Sequence, residues 1–241
     1  MQHSSSVTTT LPLIEQLLIS PSNWHHLEAA CCAVAQQMQA ASAPLEVSDE
    51  LDRWANRVQR RLCGDDPLAV LAHLHDVLFE EMALRGNLQS YYVIDNLLID
   101  SVVRRREGMP VMLCLVYQRI ADRLGVTAQG LNMPGHFLLR VRDPWGWLVV
   151  DPFCRGRVLD EEQAIHRLSL ATQWSVDDLR QRWRAATPVE WFRRILLSLE
   201  HALDRCGWYE KLDFVKSLLS YLPTEDPHSG PSTTDRTKPT Q

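Results

Sequence analysis

One histidine and one aspartate stand near the two ends of the stretch MPGHFLLRVRDPWGWLVVDPF, residues 133–153. They are His136 and Asp151. A carboxylate beside an imidazole fixes its tautomer and stabilises its protonated form, which is how a His/Asp pair supports a nucleophile in hydrolases and acyl transferases. The nucleophile must come from elsewhere, and cysteine is the type to look for. Six cysteines occur: Cys31, Cys32, Cys63, Cys114, Cys154 and Cys206. Cys114 follows Pro110 by four residues in the apolar run PVMLCLVY. Cys154 follows Asp151 in DPFCRG, where Arg155 and Arg157 are expected to lower its pKa. Each has an ordinary counterpart reading. His136 and Asp151 can be a cross-strand polar contact, and Cys114 a small core residue with an inert thiol.

The hairpin decides whether the pair can meet. With Pro144 and Trp145 at the centre of a tight turn, Asp143 faces Gly146, Arg142 faces Trp147, Leu138 faces Asp151 and His136 faces Phe153. Side chains alternate between faces along a strand. Phe137, Leu139, Val141, Leu148 and Val150 fall on one face, the core face. His136, Leu138, Arg140, Arg142, Trp147, Val149 and Asp151 fall on the other. His136 and Asp151 are then diagonal neighbours about 7–8 Å apart at the backbone, within reach of long side chains. A one-residue slip would separate them, and the apolar pattern opposes it. The pair is expected to project toward the helix that begins at Pro110. Arg142 opposite Trp147 is expected to stack as a cation–π pair.

Helix signals dominate the elements around this ribbon. Ser22 is a cap for WHHLEAACCAVAQQMQAA, and Ser48 opens DELDRWANRVQRRLCG, which Gly64 ends. Asp66-Pro67 starts a third helix, LAVLAHLHDVLFEEMAL, and IDNLLIDSVVRRRE reads as a fourth, with Arg104, Arg105 and Arg106 in its last turn. That triple arginine has an alternative reading as a phosphate or nucleic-acid contact. Pro110 opens a fifth helix that Gly125 ends, and a strand pair follows from about 129 to 153. Beyond 160, Ser175 and Asp178 form a capping box, and Thr187-Pro188 starts VEWFRRILLSLEHALDRC, ended by Gly207. YEKLDFVKSLLSYL returns antiparallel to it and stops before Pro223. Polar residues 1–10 and the Pro/Ser/Thr-rich tail 224–241 are expected to be disordered.

Composition bounds the partners. The chain has 241 residues, 45% of them apolar and 23% charged, which suits a globular protein with a real core. A net charge of -5 and a pI near 6.0 disfavour nucleic acid as a partner. No CxxC or zinc-finger spacing occurs, and His73 and His75 are two apart and face different sides of a helix, so no metal or cofactor is expected. No cationic start leads into an apolar segment and no run of about 18 apolar residues exists, so neither a signal peptide nor a membrane span is expected. Reduced thiols then fit a cytoplasmic protein.

The linked blocks LFEEMALRGN…YYVIDN, RRREGMPVMLCLVYQRIADRLG and MPGHFLLRV…VVDPF resemble the bacterial SirB-type transglutaminase-like family over roughly residues 65–160. The resemblance implies an α+β, papain-like core of helices packed on a small antiparallel sheet. It implies boundaries of 11–160 for that domain with its N-terminal helices, and 161–223 for a tetratricopeptide-like helical hairpin. His136 and Asp151 match the family's His and Asp. Tyr91, Tyr92 and Asn96 belong to the matched block and are candidates for the site entrance, or for packing. In active relatives the cysteine sits in the first turn of the helix, where free N–H groups and the dipole favour thiolate. Here that turn holds Pro110, Val111, Met112 and Leu113. This branch commonly carries Ser or Thr near Met112, and methionine cannot attack a carbonyl.

Three functions follow as expectations. The first is a binding or regulatory module, for a protein or peptide, that keeps the His/Asp half of a site. The second is a cysteine hydrolase or acyl transferase using Cys114, His136 and Asp151 as nucleophile, base and orienting acid. The third is a helical scaffold whose functional surface is the region after 160.

Overall fold

The computed structural model describes residues 2–20, 23–38, 46–64 and 66–223. It has an α+β architecture. Ten helices are described: α1 (Gln2–Ile19), α2 (Trp24–Met38), α3 (Val47–Gln59), α4 (Pro67–His75), α5 (Ile99–Arg105), α6 (Pro110–Arg123), α7 (Glu161–Thr172), α8 (Val176–Gln181), α9 (Pro188–Cys206) and α10 (Tyr209–Tyr221). Two-residue strands β1 (Arg85–Gly86) and β2 (Glu107–Gly108) pair in parallel. Strands β3 (Ala128–Met133), β4 (His136–Arg142), β5 (Trp147–Asp151) and β6 (Arg157–Leu159) form one antiparallel sheet in that order. No helix among the described residues is long and apolar enough to cross a membrane.

Helix α6 is the axis of the core. Every residue from Pro110 to Ala121 is buried, as its nearly continuous apolar run requires. Trp191 of α9 donates its indole N–H to the Val111 carbonyl over 3.0 Å and packs its ring on Phe137. Helix α6 thereby joins the sheet to the C-terminal helices. At its other end Arg119, fully buried, donates to Glu28 (2.7 Å), Asp122 (2.8 Å) and Nδ1 of His25 (2.9 Å). Arg123 donates to Asp52 (2.5 Å) and Ser48 (2.8 Å). Burial would raise the Glu28 pKa, but the hydrogen bonds from Arg119 and Arg123 outweigh it and hold it low. The network fastens α2 and α3 to α6.

Several caps lie where the sequence places them. Asp66 accepts from the Leu68 N–H, Ser175 from Asp178, and Thr187 forms a capping box with Glu190. Gly207 takes φ 71° after α9. The Ser22 cap and the tail 224–241 lie outside the described residues.

Ile14 and Leu17 bury in the core and anchor α1. Other expectations are corrected. The third helix passes into a π-helical turn, Asp76–Glu81, that ends it before Ala83 at φ 53°. The fourth is broken into a 3-10 turn, Ile94–Leu97, and α5. Asn96 causes the break. It is fully buried, donates its amide to the Ser90 and Tyr91 carbonyls, accepts from Asn87, and gives its own carbonyl to the Met109 N–H. Of the triple arginine, Arg104 lies 4.0 Å from Asp100 and Arg105 3.3 Å from Asp95, while Arg106 closes α5 at φ 61°.

The strand pair is also larger than expected. Pro134-Gly135, with Gly135 at φ 69°, makes a two-residue turn between β3 and β4 and pairs Met133 with His136. The β4–β5 register is the expected one, with Leu139 facing Val150 and Arg142 facing Trp147. Phe137, Leu139, Val141 and Val150 enter the main core with α6. The opposite face is not open. Leu138 and Val149 lie in a second apolar cluster with Leu131, Met133, Leu159, Ile165 and Leu168, which α7 and α8 close.

Candidate functional site

The sheet brings His136 and Asp151 together. His136 is the first residue of β4, fixed by the Pro134-Gly135 turn, and Asp151 is the last of β5. The His136 Nε2 lies 3.0 Å from Asp151 Oδ2. Asp151 uses its other oxygen to accept from the N–H groups of Phe153 (3.0 Å) and Cys154 (3.3 Å), and so caps the 3-10 turn Pro152–Cys154. One side chain therefore ends a strand, shapes the following turn and orients the imidazole. Burial alone would raise the Asp151 pKa. The charge and hydrogen bond of His136, with hydrogen bonds from Cys154, outweigh burial and hold the carboxyl below its ordinary 3.8. Nδ1 is the ring nitrogen that Asp151 does not hold. The His136 side chain is 21% exposed and that of Asp151 11%.

An aromatic strip leads away from the imidazole. The Phe153 ring meets His136 edge-on at 6.0 Å, Tyr91 meets Phe153 at 5.8 Å, Tyr92 meets Tyr91 at 5.0 Å, and His201 of α9 meets Tyr92 at 5.3 Å. Arg205 lies over the Tyr92 ring at 4.6 Å. Phe153 fits because residue 86 is glycine: a Cβ there would come within 2.3 Å of its ring. Of the three candidates for the entrance, Tyr91 and Tyr92 reach the strip, whereas Asn96 is a buried tie beneath them. Sequence reading missed Phe153, His201 and Arg205. Phe153 was visible as the residue facing His136, but nothing local connects α9 to the hairpin.

The cysteines are placed differently from the pair. By strand alternation His136 and Asp151 belong to the face that Leu138 and Val149 share under α7 and α8, whereas α6 covers the Phe137 face. At the ends of their strands the two side chains nevertheless stay near α6, since Phe153 beside His136 packs against the α6 core and the Asp151 charge reaches Cys114. Cys114 is fully buried on the α6 side and directs its S–H at the Phe137 carbonyl over 3.5 Å. Burial, helped by the Asp151 charge, pushes its thiol well above the ordinary 9.0. The first turn of α6 contains Met112, itself buried. Cys154 is exposed and interacts with Asp151. Crowding and the Asp151 carboxylate push its thiol up to about 12 and outweigh the lowering by Arg157 and Arg167. The expected lowering by arginines is thus reversed, because burial of the thiol and then the Asp151 carboxylate outweigh them.

Other candidate residues take structural places. His75 is hydrogen-bonded to the Tyr117 hydroxyl at 3.0 Å, and burial lowers its pKa to about 4. Arg142 lies over the Trp147 ring at 5.5 Å as expected, and Arg140 lies closer, at 4.6 Å. Among the described residues, no group of three His, Cys, Asp or Glu side chains could hold a metal ion.

The transglutaminase-like superfamily matches residues 45–197, which include the whole sheet and α3 to most of α9. A UPF0162 protein of Xylella fastidiosa is 33% identical over 160 residues, covering 66% of this chain and 52% of the relative. The chain thus spans about half the length of that relative. Protein SirB1 of Salmonella typhimurium is 27% identical over 207 residues, covering 81% of this chain and 73% of that protein. Human F-box only protein 21 is 35% identical over 98 residues, covering 37% of this chain and 16% of that protein. No solved structure matches. A His/Asp pair on neighbouring strands beside a helix begun by proline, with a match over more than half the chain, means that this chain belongs to the SirB-type transglutaminase-like family.

Proposed function

We propose that the protein is a catalytically impaired binding or regulatory module that retains the His136/Asp151 half of a transglutaminase-like site and takes a protein or peptide. The observation that carries this reading is the state of Cys114. A nucleophilic cysteine must be thiolate and reachable. Cys114 is fully buried, its thiol is raised well above 9.0, and its S–H is engaged by the Phe137 carbonyl. At the helix start, where the dipole would favour an anion, stands Met112. The pair itself remains partly exposed at one end of an aromatic strip. Human F-box only protein 21 carries a similar segment as a small part of its length, which fits a module that works inside larger chains.

The rival reading is a cysteine hydrolase or acyl transferase acting through Cys114, His136 and Asp151. It draws on the neighbourhood of Cys114: the carbonyl it contacts belongs to the residue after His136, and the Asp151 charge acts on its thiol. A thiol-directed amide or ester probe, read by peptide mapping, separates the two. The expected result is labelling at exposed Cys63 and Cys206 with Cys114 untouched in the folded protein. Labelling at Cys114 that disappears in His136→Ala would overturn the module reading in favour of the enzyme.

A further inference from the structure

The pair has a cationic flank. Arg157 of β6 pairs with Asp151 across the β5–β6 ladder, so its side chain leaves the sheet on the same face as the carboxylate. Arg155 stands at φ 53° at the corner just before it. Arg167 projects from α7, the helix that helps cover this face, and its charge reaches Cys154 together with that of Arg157. All three arginines are exposed, and none forms an ion pair among the described residues. Of the nearby acids, three have partners elsewhere and Glu161 stands exposed at the start of α7. Asp151 is bonded to His136, Phe153 and Cys154, Asp160 caps α7, and Glu162 holds Arg180 at 2.7 Å. On the other side of His136 the strip of Phe153, Tyr91 and Tyr92 ends at Arg205.

Three exposed arginines without an ion pair among the described residues, on a chain of net charge -5, can each take an anionic side chain of a partner. Like charges held together cost energy that a complementary partner recovers, and such patches steer and select partners of opposite charge. The rings alongside offer flat apolar surface at little entropic cost.

Resting on the binding-module reading, we propose that Arg155, Arg157 and Arg167, with the Phe153–Tyr91–Tyr92 strip, dock an acidic, aromatic-containing segment of a partner protein across the His136/Asp151 pair. The test uses the full chain and two short fluorescein-labelled peptides, one alternating glutamate and tyrosine and one alternating glutamine and tyrosine, followed by anisotropy. The glutamate peptide should bind about tenfold more tightly at low salt, as three exposed ion pairs allow, and the margin should shrink as salt is raised. The triple variant Arg155→Gln, Arg157→Gln, Arg167→Gln should bind both peptides equally. It keeps the long side chains, and its fold is checked by circular dichroism. Equal binding of the two peptides by the unaltered chain, no binding of either, or a preference that survives in the triple variant would each overturn the proposal. Those failures leave the module reading standing, because that reading falls only with labelling of Cys114.

Discussion

The two ends of α6 hold charged groups in opposite ways. At the C-terminal end Arg119 and Arg123 are tied to Glu28, Asp122, Asp52, Ser48 and His25, and the guanidinium of Arg119 is sealed from solvent. At the N-terminal end the ionisable groups sort by element. Cys114 is sealed beneath the sheet with its thiol pushed up, while the His136 imidazole is partly exposed, is held by the buried Asp151 through Nε2, and has no hydrogen bond at Nδ1 among the described residues. The first arrangement closes every bond it can and serves to hold helices together. The second leaves capacity over, and that surplus marks a site better than the presence of charged residues does.

The sharpest way to break this contrast is at Arg119. Arg119→Ala leaves Glu28 buried without its main partner, and removing one member of a buried pair costs about 3–5 kcal/mol. Urea denaturation should show a large drop in midpoint; a change within about 0.5 kcal/mol would make the network dispensable and erase the difference between the ends.

The site end should give way more gently. Gly86→Ala places a Cβ into the Phe153 ring, and overpacking costs about 1–3 kcal/mol. The same denaturation experiment measures the cost. The His136 ring resonances should also shift as Phe153 is displaced, and unmoved resonances would mean that Phe153 does not support the imidazole.

The smallest effect is expected at Asp151. Its folded pKa is depressed, so its contribution is present above the unfolded value, near 3.8, and is lost as pH falls through the lower folded value. Asp151→Asn keeps an oxygen to cap the turn but loses the charge opposite His136, and should cost about 1 kcal/mol near neutral pH. Unfolding free energy measured from pH 5 down to 2 should fall less steeply for the variant. Parallel curves would show that the pair adds nothing to stability.

Much of the site was legible in the sequence because it rests on local rules. The alternation of Phe137, Leu139 and Val141 against Leu148 and Val150 fixes the β4–β5 register, and with it the meeting of His136 and Asp151. Asp143 secures the turn by accepting from the N–H groups of Trp145 and Gly146, as Asp does in tight turns. The environment of each group was not legible. Cys154 is followed at once by Arg155 and then by Arg157, yet burial and the Asp151 carboxylate push its thiol up. The fourth helix has continuous helical spacing, yet Asn96 breaks it to reach the backbone of Ser90, Tyr91 and Met109.

The sequence by itself determined the family, the start of α6 at Pro110, the caps of α4 and α9, and the face on which the histidine and aspartate lie. Each of these depends on neighbours in the chain or on a two-residue period, and short-range geometry is written in residue types. Only the tertiary structure decided that α7 and α8 cover the face beside the pair, that α9 supplies His201 and Arg205, and that Cys114 is shut away as a neutral thiol. Desolvation and long-range contact depend on what packs from elsewhere in the chain, and no local pattern carries that information.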